Sequence, residues 1–259
     1  MKVVLLSCCL ISIILITGCE EFKKETRDIV NFFSKTSKST TVNGTVLKYS
    51  ATDTLKVSFS MGEFSLNEPN ADIILSGGDT NEAYLVVFYS EYKPGDATVQ
   101  ISSSSLTIQT KSGKPALITK IEGTLPKGIN LDLLSTSGDI RISNFSPPAK
   151  IIIESTSGDI AITNCNTGNT NATTVSGDIQ STGLKVTDAI TFNTTSGNVK
   201  LHGCEAQQLS ADTVSGDIVV KESAINDMQG SSVSGDINMI SSKVQKRKFS
   251  TTSGEVLER

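Results

Sequence analysis

From residue 127 to residue 259 apolar and polar positions alternate with a period of two, in short runs broken by turn residues. That period is the mark of strands with one buried face, and no helical period competes with it. The runs also recur. A triplet Ser-Gly-acid or Ser-Gly-Asn stands at Ser137-Gly138-Asp139, Ser157-Gly158-Asp159, Ser176-Gly177-Asp178, Ser196-Gly197-Asn198, Ser215-Gly216-Asp217, Ser234-Gly235-Asp236 and Ser253-Gly254-Glu255, with Ser-to-Ser steps of 20, 19, 20, 19, 19 and 19 residues. Aligned on that Ser, the flanking positions form columns. Two before it stands a hydroxyl every time: Ser135, Ser155, Thr174, Thr194, Thr213, Ser232 and Thr251. Three after it stands a β-branched aliphatic: Ile140, Ile160, Ile179, Val199, Ile218, Ile237 and Val256. Four and six before it the residues are mostly apolar, with Arg247 breaking the outer of these two columns in the last repeat.

Each repeat therefore reads as strand, Ser-Gly-acid turn, strand, variable turn. Identical columns at constant spacing stack when each repeat is one coil, so the expected fold is all-β, a parallel β-solenoid of 19–20-residue coils. Seven coils at the interstrand spacing give a rod of roughly 34 Å. An antiparallel barrel is the rival, but its strands would not need the same turn at every second connection. In one apolar column large and small residues alternate, with Ala211 and Gly230 between Phe192 and Phe249, as lateral filling of a narrow core requires. The turn glycines Gly138, Gly158, Gly177, Gly197, Gly216, Gly235 and Gly254 are expected to supply a positive φ, and the acid after each to bond amides of its own turn.

Residues 41–126 are β-rich but irregular. Strand candidates are 45–49, 55–59, 71–75, 83–89, 97–101, 105–109 and 116–121, and Tyr84, Phe88, Tyr89 and Tyr92 gather aromatic side chains here. The segment is either a set of degenerate early coils or a cap over the end of the solenoid, which repeat proteins need. The far end is already polar at Glu255, Glu258 and Arg259, and the basic run Lys243 to Lys248 reads as solvated.

The N-terminus changes the picture of where this rod works. Val3 to Ile16 is an uncharged apolar run, too short to span a membrane comfortably and suited to a signal-peptide core. It leads into Ile16-Thr17-Gly18-Cys19 followed by Glu20-Glu21. This resembles the lipobox of bacterial lipoproteins, which implies cleavage before Cys19 and acyl chains on that residue. Two or three chains give stable anchoring at roughly 0.8 kcal/mol per buried CH₂. The domain reading is then a signal peptide over 1–18, a tether or short amphipathic helix over 19–40 (Phe22, Ile29 and Phe33 can share a helix face), irregular β over 41–126, and the regular solenoid over 127–259.

Composition agrees with a thin rod rather than a sphere: Trp is absent and aromatic residues make up 5%. The net charge of −4 offers no case for nucleic acid. Beyond the signal peptide and Cys19 the remaining thiols are Cys165 and Cys204, both eight positions after their Ser with Leu184 between them. Two coils separate their Cα atoms by about 10 Å, beyond the roughly 7 Å limit of a disulfide. They are expected as free, buried thiols in one column with Phe145 and Leu184.

The phrase Ser-Thr-Ser-Gly-Asp-Ile at 135–140 and 155–160, led in by Glu122-Gly123-Thr124-Leu125-Pro126-Lys127-Gly128-Ile129, resembles the bacterial "putative adhesin" family of TSGDI-repeat lipoproteins and envelope proteins, a domain of unknown function. The resemblance covers roughly residues 45 to 259. It implies a right-handed parallel β-solenoid at the cell envelope and brings no catalytic residues with it.

No triad, metal cluster or phosphate loop is present, and the single His, His202, falls near a predicted turn, so the chain is expected not to be an enzyme and to need no cofactor. The row Asp139, Asp159, Asp178, Asp217, Asp236 and Glu255, with Asn198 among them, offers oxygens that a cation such as calcium could use. The plainer reading is that each acid caps its own turn. Long regular faces bearing Thr, Asn, Lys and Gln suit multivalent contact with a protein or a polysaccharide. The expected role is binding or adhesion by a lipid-anchored extracytoplasmic protein, at an outer membrane or cell surface. The alternatives are an envelope-stress or regulatory partner of another envelope protein, and a structural spacer without a ligand.

Overall fold

A computed structural model describes residues 40–58, 62–102, 105–147 and 150–259. The expected signal peptide, Cys19 and all but the last residue of the 19–40 segment lie outside these. Among the described residues every regular element is a strand.

Two parallel ladders face each other across a narrow core. One runs through Glu63–Asn67, Asn130–Leu134, Lys150–Glu154, Asn169–Thr173, Lys185–Asn193, Glu205–Asp212, Ala224–Ser232 and Lys243–Thr251. The other runs through Asp72–Gly78, Ile140–Ser143, Ile160–Thr163, Ile179–Thr182, Val199–His202, Ile218–Lys221, Ile237–Ile240 and Val256–Glu258. Registers match the sequence columns: Ile140 pairs with Ile160, Ile160 with Ile179, Ile179 with Val199. The solenoid of 19–20-residue coils is thus observed, and its β-branched columns fill the lumen. Phe192 lies between Ala172 and Ala211 in the register, and the Phe249 ring comes within 3.2 Å of where a Cβ on Gly230 would stand, so large side chains do fill the space left by small neighbours.

The N-terminal part holds both of the arrangements left open by the sequence. Strands Glu63–Asn67 and Asp72–Gly78 form a first coil, in parallel register with the coil at 130–143. Asp72 takes the place of Asp139, Ile73 of Ile140, Ala71 of Gly138 and Glu68 of Ser135. The chain then leaves the solenoid. Leu117–Pro126 adds parallel to Asp72–Gly78, Glu82–Glu91 adds antiparallel to it, and Tyr49–Ser58 closes an eleven-stranded sheet. A hairpin of Ala97–Ser102 and Ser105–Thr110 packs Ala97, Val99 and Leu106 into the same core and covers this end of the rod.

Two expectations about the turn are corrected. None of its seven glycines has a positive φ. Each lies against the turn of the coil before, where an added Cβ would fall far inside 3.0 Å of that turn's carbonyl oxygen: Gly138 against Ala71, Gly158 against Gly138, and so on to Gly254 against Gly235. Glycine is required for close approach, not for conformation. Left-handed backbone occurs instead in the second, variable turn, at Asn144, Asn164, Gly183, Gly203, Glu222 and Ser241, one per coil in register.

The second correction concerns the acids. Their Oδ1 atoms accept the backbone N–H of the equivalent residue in the next coil, not of their own turn. Asp72 accepts from Asp139, Asp139 from Asp159, Asp159 from Asp178, Asp178 from Asn198, Asn198 from Asp217, Asp217 from Asp236 and Asp236 from Glu255, at 2.8–3.0 Å. The hydroxyl column is explained by the same stacking. The hydroxyls of Thr174, Thr194, Thr213, Ser232 and Thr251 donate to the glycine carbonyl of the preceding coil, at 2.9–3.1 Å. In the earlier coils Ser135 and Ser155 accept from the N–H of Gly138 and Gly158.

Candidate functional site

The outer face of the eleven-stranded sheet is where the structure gathers unlike side chains. Strands alternate inward and outward, so Ile73 and Leu75 are buried while Ile74 and Ser76 look out, and Leu85 and Val87 are buried while Tyr84 and Val86 look out. Where the parallel ladder gives way to Leu117–Pro126 and Glu82–Glu91, the outward residues line a groove of about 480 Å³. Its apolar surface comes from Ile74, Val86, Ala161 and the Tyr84 ring, and its polar groups from Ser76, Thr124, Ser143, Thr163, Glu122 and Arg141. The volume lies in the range of small-ligand sites.

Several contacts hold this lining in place. The Tyr84 hydroxyl donates to Glu82 Oε2 at 2.7 Å, and Lys56 Nζ pairs with the same carboxylate at 2.8 Å while lying 5.8 Å from the Tyr84 ring centroid. The lysine holds the Glu82 carboxyl below its ordinary value, chiefly by hydrogen bonding, and Glu82 pushes the Tyr84 hydroxyl up. Ser76 Oγ reaches Thr124 Oγ1 at 3.2 Å and Gly123 O at 3.4 Å. Arg141 is tied to Asp139 at 2.8 Å, and Glu122 to Lys120. An aromatic face, a flat aliphatic floor and hydroxyls with spare hydrogen-bonding capacity suit a neutral ligand rich in hydroxyls. The floor strands are all paired within the sheet, so an incoming peptide would find no open strand edge here.

The residues singled out in the sequence fall elsewhere. The acidic row is a structural ladder along one edge of the coils. Each Oδ1 is engaged by an amide, and of the second oxygens Asp139 Oδ2 binds Arg141 and Asp178 Oδ2 binds Lys200. Burial acts to raise Asp178, but the Asn198 amide and side chain and Lys200 outweigh it and hold its carboxyl below the ordinary value. Among the described residues no three His, Cys, Asp or Glu side chains gather where they could hold a metal ion. Cys165 and Cys204 are free and buried, in the column of Phe145 and Leu184. Burial pushes the Cys165 thiol up to about 11, which disfavours the thiolate and accords with its place in the core. His202 ends a strand and meets Glu222 at 3.1 Å on the exposed surface. In the sequence Tyr84 was visible only as an aromatic in the irregular part, and Arg141 only as a polar residue next to Ile140 of the β-branched column. Nothing in the spacing announces that they meet.

The profile of the Toastrack DUF4097 family matches residues 21–208. The chain belongs to this family. No curated protein matches it. Among solved structures, it is similar to a protein named "putative adhesin" from Bacteroides fragilis, at 15% identity and a TM-score of 0.53, over 81% of this chain and 97% of that one. A second, also named "putative adhesin", from Parabacteroides distasonis, aligns at 13% identity and a TM-score of 0.53, over 80% of this chain and 96% of that one. At such identities the likeness is one of fold, and it spans the irregular sheet as well as the coils. Among the described residues no helix is long and apolar enough to cross a membrane.

Proposed function

We propose that this Toastrack chain is a lipid-anchored protein of the bacterial envelope, held by acyl groups on Cys19, and that it acts outside the cytoplasm by binding, as an adhesin, with no catalytic step. The observation that carries the reading is the groove on the outer sheet face, in which an exposed aromatic ring, aliphatic side chains and hydroxyls lie side by side on paired strands. Its chemistry favours a polysaccharide: sugar rings stack on Tyr84 while their hydroxyls meet Ser76, Thr124, Ser143 and Thr163. The names given to proteins of similar fold agree with an adhesive role, and the lipobox-like Ile16-Thr17-Gly18-Cys19 supports the anchor.

The test is attachment of intact cells to surfaces coated with purified polysaccharides. Cells carrying the full chain should attach more than cells lacking it. Tyr84→Ala should abolish the difference while leaving the amount of protein on the surface unchanged. Cys19→Ala should release the protein from the membrane fraction. Equal attachment with and without the chain would sink the adhesive reading, and protection of the coils from protease added to intact cells would place the protein inside the envelope.

A further inference from the structure

The two ends of the rod are finished differently. At the first coil, the hairpin at 97–110 covers the core. At the last coil nothing described does so. Lys243–Thr251 pairs only with Ala224–Ser232, and Val256–Glu258 only with Ile237–Ile240. Strand Lys243–Thr251 has nine residues, and about half of its amides and carbonyls face away from the coil below. Val244 and Phe249, core residues in register with Ile225 and Gly230, are only partly covered, and Val256 is 42% exposed where its equivalents in other coils are buried.

This edge is also basic. Lys243, Lys246, Arg247 and Lys248 stand where the coil below has Ala224, Asp227, Met228 and Gln229, and where the coil before that has Glu205, Gln208, Leu209 and Ser210. Arg247 falls in a column that is otherwise mostly aliphatic and reaches across the lumen to Glu258 at 2.9 Å, so an ion pair stands in for the next layer of core. Lys243, Lys246 and Lys248 make no ion pair among the described residues, although Asp227 lies beneath Lys246 in register. Lysines on a free edge are a recognised guard against self-pairing, and a second copy of this edge would bring like charges together. The same charges attract an acidic strand.

We propose that the last coil is a docking edge for an extended, acidic polypeptide segment of another protein, which adds alongside Lys243–Thr251 as one more strand of its ladder. Backbone hydrogen bonds to the open edge supply strength. Acidic side chains facing Lys243, Lys246 and Lys248 supply selection, and alternate apolar side chains cover Val244 and Phe249. This edge lies at the opposite end of the rod from the groove, so both can be engaged at once.

The test is fluorescence anisotropy of the full chain in detergent, with three labelled peptides as long as the edge strand. One alternates Glu with Val, one alternates Lys with Val, and one carries the acidic pattern interrupted by prolines, which remove donors and block the ladder. The Glu-Val peptide should bind, with affinity falling as salt rises. The Lys-Val and proline-interrupted peptides should bind at least about tenfold more weakly. Lys246→Glu with Lys248→Glu should reverse the preference between Glu-Val and Lys-Val, while the melting temperature stays near that of the parent because both side chains are exposed. Equal binding of the proline-interrupted peptide would show simple charge attraction and overturn strand addition. Absence of Glu-Val binding, or binding unaffected by the lysine reversals, would leave the basic row as a guard against self-association only.

Discussion

Replacing Gly197 with Ala isolates the force that sets the turn. The added Cβ would fall far inside 3.0 Å of the Gly177 carbonyl oxygen, which belongs to the coil before. Relief needs about 1 Å of separation between two turns. The hydrogen bonds nearest the clash are Thr194 Oγ1 to Gly177 O at 3.0 Å, Thr195 N and Ser196 N to Val175 O at 3.2 and 2.9 Å, and Asn198 N to Asp178 Oδ1 at 2.8 Å. Moving the turn by that distance loses or weakens three of them. At about 1 kcal/mol each, Gly197→Ala should cost about 3 kcal/mol.

Gly203 supplies the control. It has φ +61° and nothing within 4 Å of an added Cβ, so Gly203→Ala meets only the backbone penalty, about 1 kcal/mol. Urea unfolding followed by far-ultraviolet circular dichroism compares the two. If Gly203→Ala proves as costly as Gly197→Ala, or the latter costs less than about 1 kcal/mol, the stacking argument fails and conformation governs both turns.

Two further changes probe buried polar groups. Burial raises the Glu68 carboxyl from its ordinary 4.5 to about 7, so the fold favours its protonated form; stability should therefore fall as pH rises from about 4.5 to about 7, and Glu68→Gln should remove that slope. The shift corresponds to about 3 kcal/mol at most, which melting temperatures measured at pH 4 and pH 8 will show as a gain for the variant at the higher pH only. The Thr170 hydroxyl is buried without a partner in a column between Ile151 and Ile190, so Thr170→Val should stabilise by about 1 kcal/mol in urea unfolding. A loss of stability there would mean that the hydroxyl is satisfied after all.

The regular coils were legible because a constant period fixes both register and burial: once Ile140, Ile160 and Ile179 share a column, stacking follows. The reason for each conserved-looking residue type was less legible, since the partner of each turn atom belongs to another coil. Gly177 and Asp178 look like a self-contained turn in the sequence, yet the glycine yields to Gly158 O and the Asp reaches the Asn198 amide. The first coil was hidden for a related reason. No Ser-Gly-acid turn stands before Ala71, so the position tolerates a methyl group, and Pro69-Asn70-Ala71-Asp72-Ile73 keeps only the Asp-Ile pair of the motif. The groove could not be read at all, because Tyr84, Glu122, Ile74 and Arg141 meet only through a change from parallel to antiparallel pairing.

These constraints leave a simple division of the surface. Inward columns are fixed by the width of the lumen, the Ser-Gly-acid edge by contact between turns, and the variable turn by its left-handed residue. The outward column between them carries Arg141, Ala161, Gln180, Lys200, Val219, Asn238 and Leu257, with no common chemistry, because it faces away from the core. A repeating face of that kind gives many equivalent shallow surfaces and no concavity. Concavity requires the repeat to be broken, and in this chain that happens beside the first coil, where Leu117–Pro126 and Glu82–Glu91 replace the next pair of coils. The irregular segment therefore does more than close the core. It brings an aromatic ring, aliphatic side chains and hydroxyls together in a groove on the outer sheet face, and a binding role for the rod is best sought there.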